Sequence, residues 1–120
     1  MEIIKRFQPE AETYVEEGCY IVELHNTQAD AGCSIARARL KPGGTTRLHC
    51  LGGTIEHYVI IEGQGDVIVG EPPVRTVHVL DVVNIPAGMP QSISNTGQTD
   101  LIFLCVCTPR FVAENYQDIE

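Results

Sequence analysis

Basic residues are scarce in this chain. Lys and Arg number 8 against 16 Asp and Glu, which leaves a formal net charge of −8 over 120 residues. Phosphate contacts need clustered Lys and Arg, so this balance argues against a nucleic-acid partner. Long hydrophobic runs are missing as well. No apolar stretch approaches the ~20 residues that span a bilayer, so no membrane partner is expected. The opening MEIIKRFQPE lacks the apolar core of a secretory leader, and none is expected there. A disulfide framework is also absent. The five cysteines are an odd number without framework spacing and read as reduced thiols, which makes the expected location cytoplasmic. Helical periodicity of useful length, fixed-period repeats and low-complexity segments do not occur.

What remains is a β pattern. Short runs at 19–24, 33–40, 47–51, 56–62, 65–70, 75–80, 82–85, 91–94 and 101–107 are punctuated by Gly, Pro and Asn. Many short strands at regular spacing predict an all-β sandwich or barrel, and a double-sheet jelly roll is one such arrangement. A hydrophobic content of 43% suits a single domain over 1–120, with a core barrel at about 19–108 and no need of covalent staples. Ile3, Ile4 and Phe7 are expected to dock on the barrel or on a partner subunit. The tail beyond Pro109 is expected to form one helical turn or to lie along the barrel.

The chain is organised around residues 43–63. A Pro42-Gly43-Gly44 turn leads into an alternating run with Arg47, His49 and Leu51 on one face. Gly52-Gly53 reverses the chain. A second strand then puts Glu56, Tyr58 and Ile60 on one face. This predicts His49 and Glu56 on adjacent antiparallel strands of one hairpin, both facing the interior. Such a pair is a fragment of a metal site, a hydrogen-bonded pair or an acid–base pair.

Gly43, His49, Leu51, Glu56 and Gly63 stand at the spacing G-x5-H-x-H-x3,4-E-x6-G, which resembles the first motif of the cupin superfamily. Pro86, Gly88 and Asn95 fit the second motif, G-x5-P-x-G-x2-H-x3-N. The departures are Leu51 and Gln91 in the two histidine positions and Leu80 in that of the opening glycine. The resemblance implies a cupin double-stranded β-helix, a small single-domain member with a degenerate metal-ligand set. It implies a divalent ion (Zn, Mn, Fe or Ni) held weakly or not at all by His49, Glu56 and Gln91. It also implies a homodimer and a small-molecule ligand.

The residues themselves leave alternatives. Burying Glu56 without a partner would cost several kcal/mol or raise its pKa; a metal, protonated His49 or Arg47 could each supply that partner. Gln91 is either a weak oxygen ligand or a hydrogen-bond partner of Glu56. Arg47, Leu51 and Tyr58 are expected in the ligand pocket, and Glu56 and Tyr58 are the catalytic candidates. Cys105 and Cys107 share a face and read as core thiols rather than ligands. Arg37 and Arg39 share another face, which is either an anion-binding mouth or a salt-bridged outer surface. Two functions follow. One is a metal cupin that acts on or binds a sugar- or carboxylate-like molecule. The other is a metal-free binding or sensor module without catalysis.

Overall fold

The structure, a computed structural model, describes residues 2–120. Its strands are β1 (Thr13–Tyr14), β2 (Tyr20–His25), β3 (Ser34–Leu40), β4 (His49–Leu51), β5 (Ile55–Glu62), β6 (Gly65–Val69), β7 (Arg75–Val77), β8 (Val82–Ile85), β9 (Gln91–Asn95), β10 (Leu101–Thr108) and β11 (Tyr116–Asp118). Single 3-10 turns occupy Pro9–Ala11 and Ala113–Asn115. One sheet runs β1-β2-β3-β10-β5-β8 and the other β11-β4-β9-β6-β7. All the pairings are antiparallel, and the two sheets close over a shared interior as a cupin double-stranded β-helix.

Period-two alternation sets the interior. Glu56, Tyr58 and Ile60 of β5 are buried, as are Gln91, Ile93 and Asn95 of β9. Register then builds layers across the first sheet. Phe103 lies between Ala38 and Ile60, Cys105 between Ala36 and Tyr58, and Cys107 between Ser34 and Glu56. At one end, Leu40, Ile60, Leu101 and Phe103 meet Val67, Val77 and Ile93 of the facing sheet and fill the barrel. Each such side chain contributes about 1.5 to 3 kcal/mol by its burial. At the other end β3 offers only Ser34, Ala36 and Ala38, and the space stays open.

Two backbone positions explain how the motif residues work. Gly63 has φ +80°, and a Cβ there would lie 2.5 Å from the carbonyl oxygen of Asp100. Only glycine fits where β5 turns toward β6. Leu80, in the opening-glycine position of the second motif, also has positive φ, +71°. Its amide donates to the Ile60 carbonyl at 2.7 Å, which holds a leucine in a conformation that favours glycine.

The predicted hairpin is corrected by the topology. β4 pairs with β9 and β11, while β5 pairs with β10 and β8, so His49 and Glu56 belong to opposite sheets. Gly52-Gly53 carries the chain from one sheet to the other. Gly52 N–H donates to the Asn115 carbonyl and Thr54 Oγ1 to that of Pro109, which pins the crossing to the C-terminal segment. The tail forms both expected features, a turn and then β11. Ile3 is almost fully exposed, so it does not dock on the barrel; Phe7 is half exposed and lies over the Arg37 guanidinium, 5.2 Å from its ring centroid. Arg39 is paired with Glu12 and Asp100, and Arg37 lies 3.6 Å from Glu12. That face is the salt-bridged outer surface.

Candidate functional site

The small side chains of β3 leave a cavity of about 630 Å³ between the sheets. Phe103, Cys105 and Cys107 form its wall on β10, and His49 and Leu51 form it on β4. Val15 and Glu17 close it from the N-terminal segment, Phe111 and Tyr116 from the C-terminal one.

His49 is buried on β4. Its Nδ1–H donates to the Arg47 carbonyl at 2.6 Å, which fixes the tautomer and leaves Nε2 as the acceptor on the cavity side. The ring stacks on Tyr116, with centroids 5.3 Å apart. Nε2 lies 3.6 Å from Glu17 Oε2. Glu17 reaches this point because its carbonyl accepts the Arg47 N–H at 2.7 Å and because glycine follows it. Gly18 has φ +103°, and a Cβ there would stand 3.0 Å from the Thr45 carbonyl oxygen. Burial pushes the Glu17 carboxyl above its ordinary value, and the positive charge that His49 carries when its ring is protonated works against that shift.

Glu56, on the opposite sheet, belongs to a second polar group that reaches across to Gln91 of β9, the register partner of His49. The Tyr58 hydroxyl donates to Gln91 Oε1, and Gln91 Nε2 donates to Glu56 Oε1 at 2.9 Å. Glu56 Oε2 has only the Cys107 thiol, 3.9 Å away. Desolvation pushes the Glu56 carboxyl up to about 7; the Gln91 hydrogen bond opposes the shift and the field of Glu17 adds to it. Burial raises Tyr58 well above the usual phenol range, and Cys105 likewise. Cys107 is pushed up to about 12 for the same reason. The thiols are therefore protonated and poor ligands or nucleophiles.

The structure brings His49, Leu51, Glu56 and Tyr58 to one cavity. Arg47 is not among its walls. It is 43% exposed and pairs with Asp118 at 2.7 Å on the outside, because β4 becomes regular only at His49 and the inward alternation does not extend back to residue 47. Gln91 is fully buried behind Glu56 and Tyr58. Two residues that sequence reasoning did not single out complete the site. Glu17 lay in an acidic run that reads as solvated surface, and only the following Gly18 hints at a turn. The Tyr116 hydroxyl is buried without a hydrogen-bond partner, and burial raises its pKa to about 12. Its tail position gave no register.

The expected metal set does not fit this geometry. Gln91 has its oxygen engaged by the Tyr58 hydroxyl and its nitrogen turned to Glu56, so it is a poorer donor to an ion than the histidine that the motif has there. Leu51 has no donor atom. Among the described residues, no three His, Cys, Asp or Glu side chains gather as a metal site.

Comparison with known proteins agrees with the fold. The cupin domain family matches residues 36–107. An uncharacterized protein of Methanocaldococcus jannaschii is 30% identical over 123 residues, covering 100% of this chain and 98% of the relative. Among solved structures, an uncharacterized conserved protein with a double-stranded β-helix domain from Klebsiella pneumoniae superposes with a TM-score of 0.79 at 16% identity, over 97% of each chain. A predicted oxalate decarboxylase from Thermotoga maritima gives 0.69 at 31% identity, over 76% of this chain and 80% of that one. An oxalate decarboxylase from Lactobacillus farciminis, in a formate complex, gives 0.77 at 22% identity; it is matched over 90% of this chain but 33% of its own length.

Proposed function

The chain belongs to the cupin family, and from that premise we propose that its barrel is a pocket that binds a small organic molecule without a metal. The observation that carries this reading is the state of Gln91. In the position where the family motif has a histidine, its amide is spent at both ends inside a Tyr58–Gln91–Glu56 chain. The chain stiffens the floor of the cavity and supports Glu56 there, with an engaged amide where the motif has an imidazole. The open volume comes from Ser34, Ala36 and Ala38, and it falls in the range of small-molecule sites. His49 Nε2, the Glu17 carboxyl and Glu56 Oε2 are the polar atoms left for the guest.

A thermal-shift screen in the presence of chelator tests this. Compounds should raise Tm without any metal, and the rise should vanish in Ala36→Phe, which fills the cavity. Stabilisation that needs added Zn, Mn, Fe or Ni, and is lost in His49→Ala, would overturn the reading.

The position of Glu56 near neutrality favours one second reading, proton transfer on the bound molecule. A carboxyl poised at about 7 suits a general acid or base. Tyr58 is a poor partner for it, since its proton is committed to Gln91 and burial raises its pKa. A turnover insensitive to chelator and lost in Glu56→Gln would establish it. We further propose a homodimer that uses the outer face of β5 and β8, where Ile55, Ile61 and Val82 are exposed. The setting would be a reducing cytoplasm that keeps the free thiols intact.

A further inference from the structure

His49, Glu17 and Glu56 present acceptors to the cavity, beside the hydroxyls of Ser34 and Tyr116, which can donate or accept. His49 has given its Nδ1–H to the Arg47 carbonyl, so Nε2 presents a lone pair. Glu17 offers a carboxylate, and Glu56 Oε2 has no nitrogen or hydroxyl donor of its own. Ser34 Oγ accepts the Phe111 N–H at 2.8 Å and keeps its own O–H as a donor. The Tyr116 hydroxyl is buried with no partner at all. A guest that satisfies His49 Nε2, Glu17 and Glu56 Oε2 together must bring donors.

Charge points the same way. Among the described residues, the cavity wall holds no Lys or Arg, while Glu16 and Glu23 add negative charge beside Glu17 and Glu56. Arg37, Arg39 and Arg47 are turned outward and neutralised there by Glu12, Asp100 and Asp118. Aromatic residues are concentrated here too. Tyr58, Phe103, Phe111 and Tyr116 are four of the 7 Phe and Tyr that the chain has, 3 Phe and 4 Tyr, and all four line this cavity. Ring faces attract cations and give an apolar body something to pack on.

We propose that the guest of this cavity is an organic ammonium ion, a primary amine carried on an apolar or aromatic body, rather than a carboxylate, a phosphate or a neutral sugar. The inference rests on the metal-free pocket reading and narrows it. The ammonium group would place its three N–H donors on Glu17, Glu56 Oε2 and His49 Nε2, while its body would lie against Phe103, Phe111 and the small side chains of β3. A carboxylate guest would instead add a negative charge beside Glu17 and the buried Glu56, with no guanidinium to hold it. The proposed guest differs in charge from the sugar- or carboxylate-like ligand expected from sequence.

The test compares three probes of one shape, benzylamine, benzyl alcohol and benzoate, by calorimetric titration with chelator present. Benzylamine should bind at least about tenfold more tightly than benzyl alcohol, the size of a cation–aromatic contact plus a charge-assisted hydrogen bond. Benzoate should not bind. Glu17→Gln, which keeps the shape of the wall, should weaken benzylamine far more than benzyl alcohol and so remove most of that preference. Benzyl alcohol or benzoate binding as tightly as benzylamine would overturn the ammonium assignment while leaving the pocket reading in place, provided that binding is lost in Ala36→Phe. Failure of all three to bind would overturn both.

Discussion

Replacing Glu56 by Gln should change how stability depends on pH, in a direction and by an amount that follow from its burial. The carboxyl is buried on β5 and titrates at about 7 when folded, against an ordinary 4.5. The folded state therefore holds this proton more tightly than the unfolded one. Stability from this group is complete below pH 4.5, declines as pH rises, and is lost once pH passes about 7. The gap of 7 less 4.5 is about 2.5 units, and at ~1.36 kcal/mol per unit it amounts to about 3 kcal/mol. Glutamine retains the acceptor that Gln91 Nε2 needs and has no charge to desolvate. Urea unfolding of both proteins at about pH 5 and about pH 8 measures the effect. Part of the effect is already lost at about pH 5, so the variant should gain about 2 to 3 kcal/mol on the native protein between the two, a Tm difference on the order of 10 °C. Glu17 titrates in both proteins and largely cancels in the comparison. Parallel pH profiles would refute the reasoning, since they would mean that Glu56 is solvated or already compensated.

Leu80→Gly should stabilise the protein by about 0.5 to 1 kcal/mol in chemical denaturation. It relieves a left-handed conformation that costs a non-glycine residue about 1 to 2 kcal/mol, offset by glycine's greater unfolded entropy, and Leu80 is 74% exposed and buries little. A loss of stability would show that the leucine packs. Leu51→His should lower apo stability by about 1 to 3 kcal/mol and create a response of Tm to Ni or Zn that the native protein lacks, because it adds an inward nitrogen donor two residues from His49. An equal response in both proteins would show that the native set already binds. Val82→Glu should shift the protein from dimer to monomer in light scattering and leave the monomer folded, since Val82 is exposed on the outer face; an unchanged mass would place the dimer elsewhere or nowhere.

The strands were legible because alternation and turn residues are local signals. β5 and β9 carry their inward residues, Glu56 with Tyr58 and Gln91 with Ile93, where period two puts them. The destination of each strand was not local. Gly52-Gly53 reads as a hairpin turn, and nothing in that dipeptide says that Asn115 and Pro109 will pin it as a crossing between sheets. His49 and Glu56 were found as interior residues but were set beside each other instead of in facing sheets. Arg47 was assigned inward by carrying alternation back past the start of β4, and its partner Asp118 lies 71 residues away in sequence. Glu17 and Tyr116 escaped because both come from segments that join the barrel only through long-range pairing, one by a backbone bond to Arg47 and the other through β11. Gln91 was recognised by position, but its role depends on a hydroxyl from another strand, which no spacing reveals.

The central claim is that this barrel binds a small organic guest with no metal in between. Calorimetric titration of metal-stripped protein, once with benzylamine and once with Ni or Zn alone, tests it most directly. The account predicts binding of the amine in the absence of metal, abolished in Ala36→Phe, and no metal binding that depends on His49. Stoichiometric metal binding lost in His49→Ala, with amine binding only after the metal is restored, would contradict it.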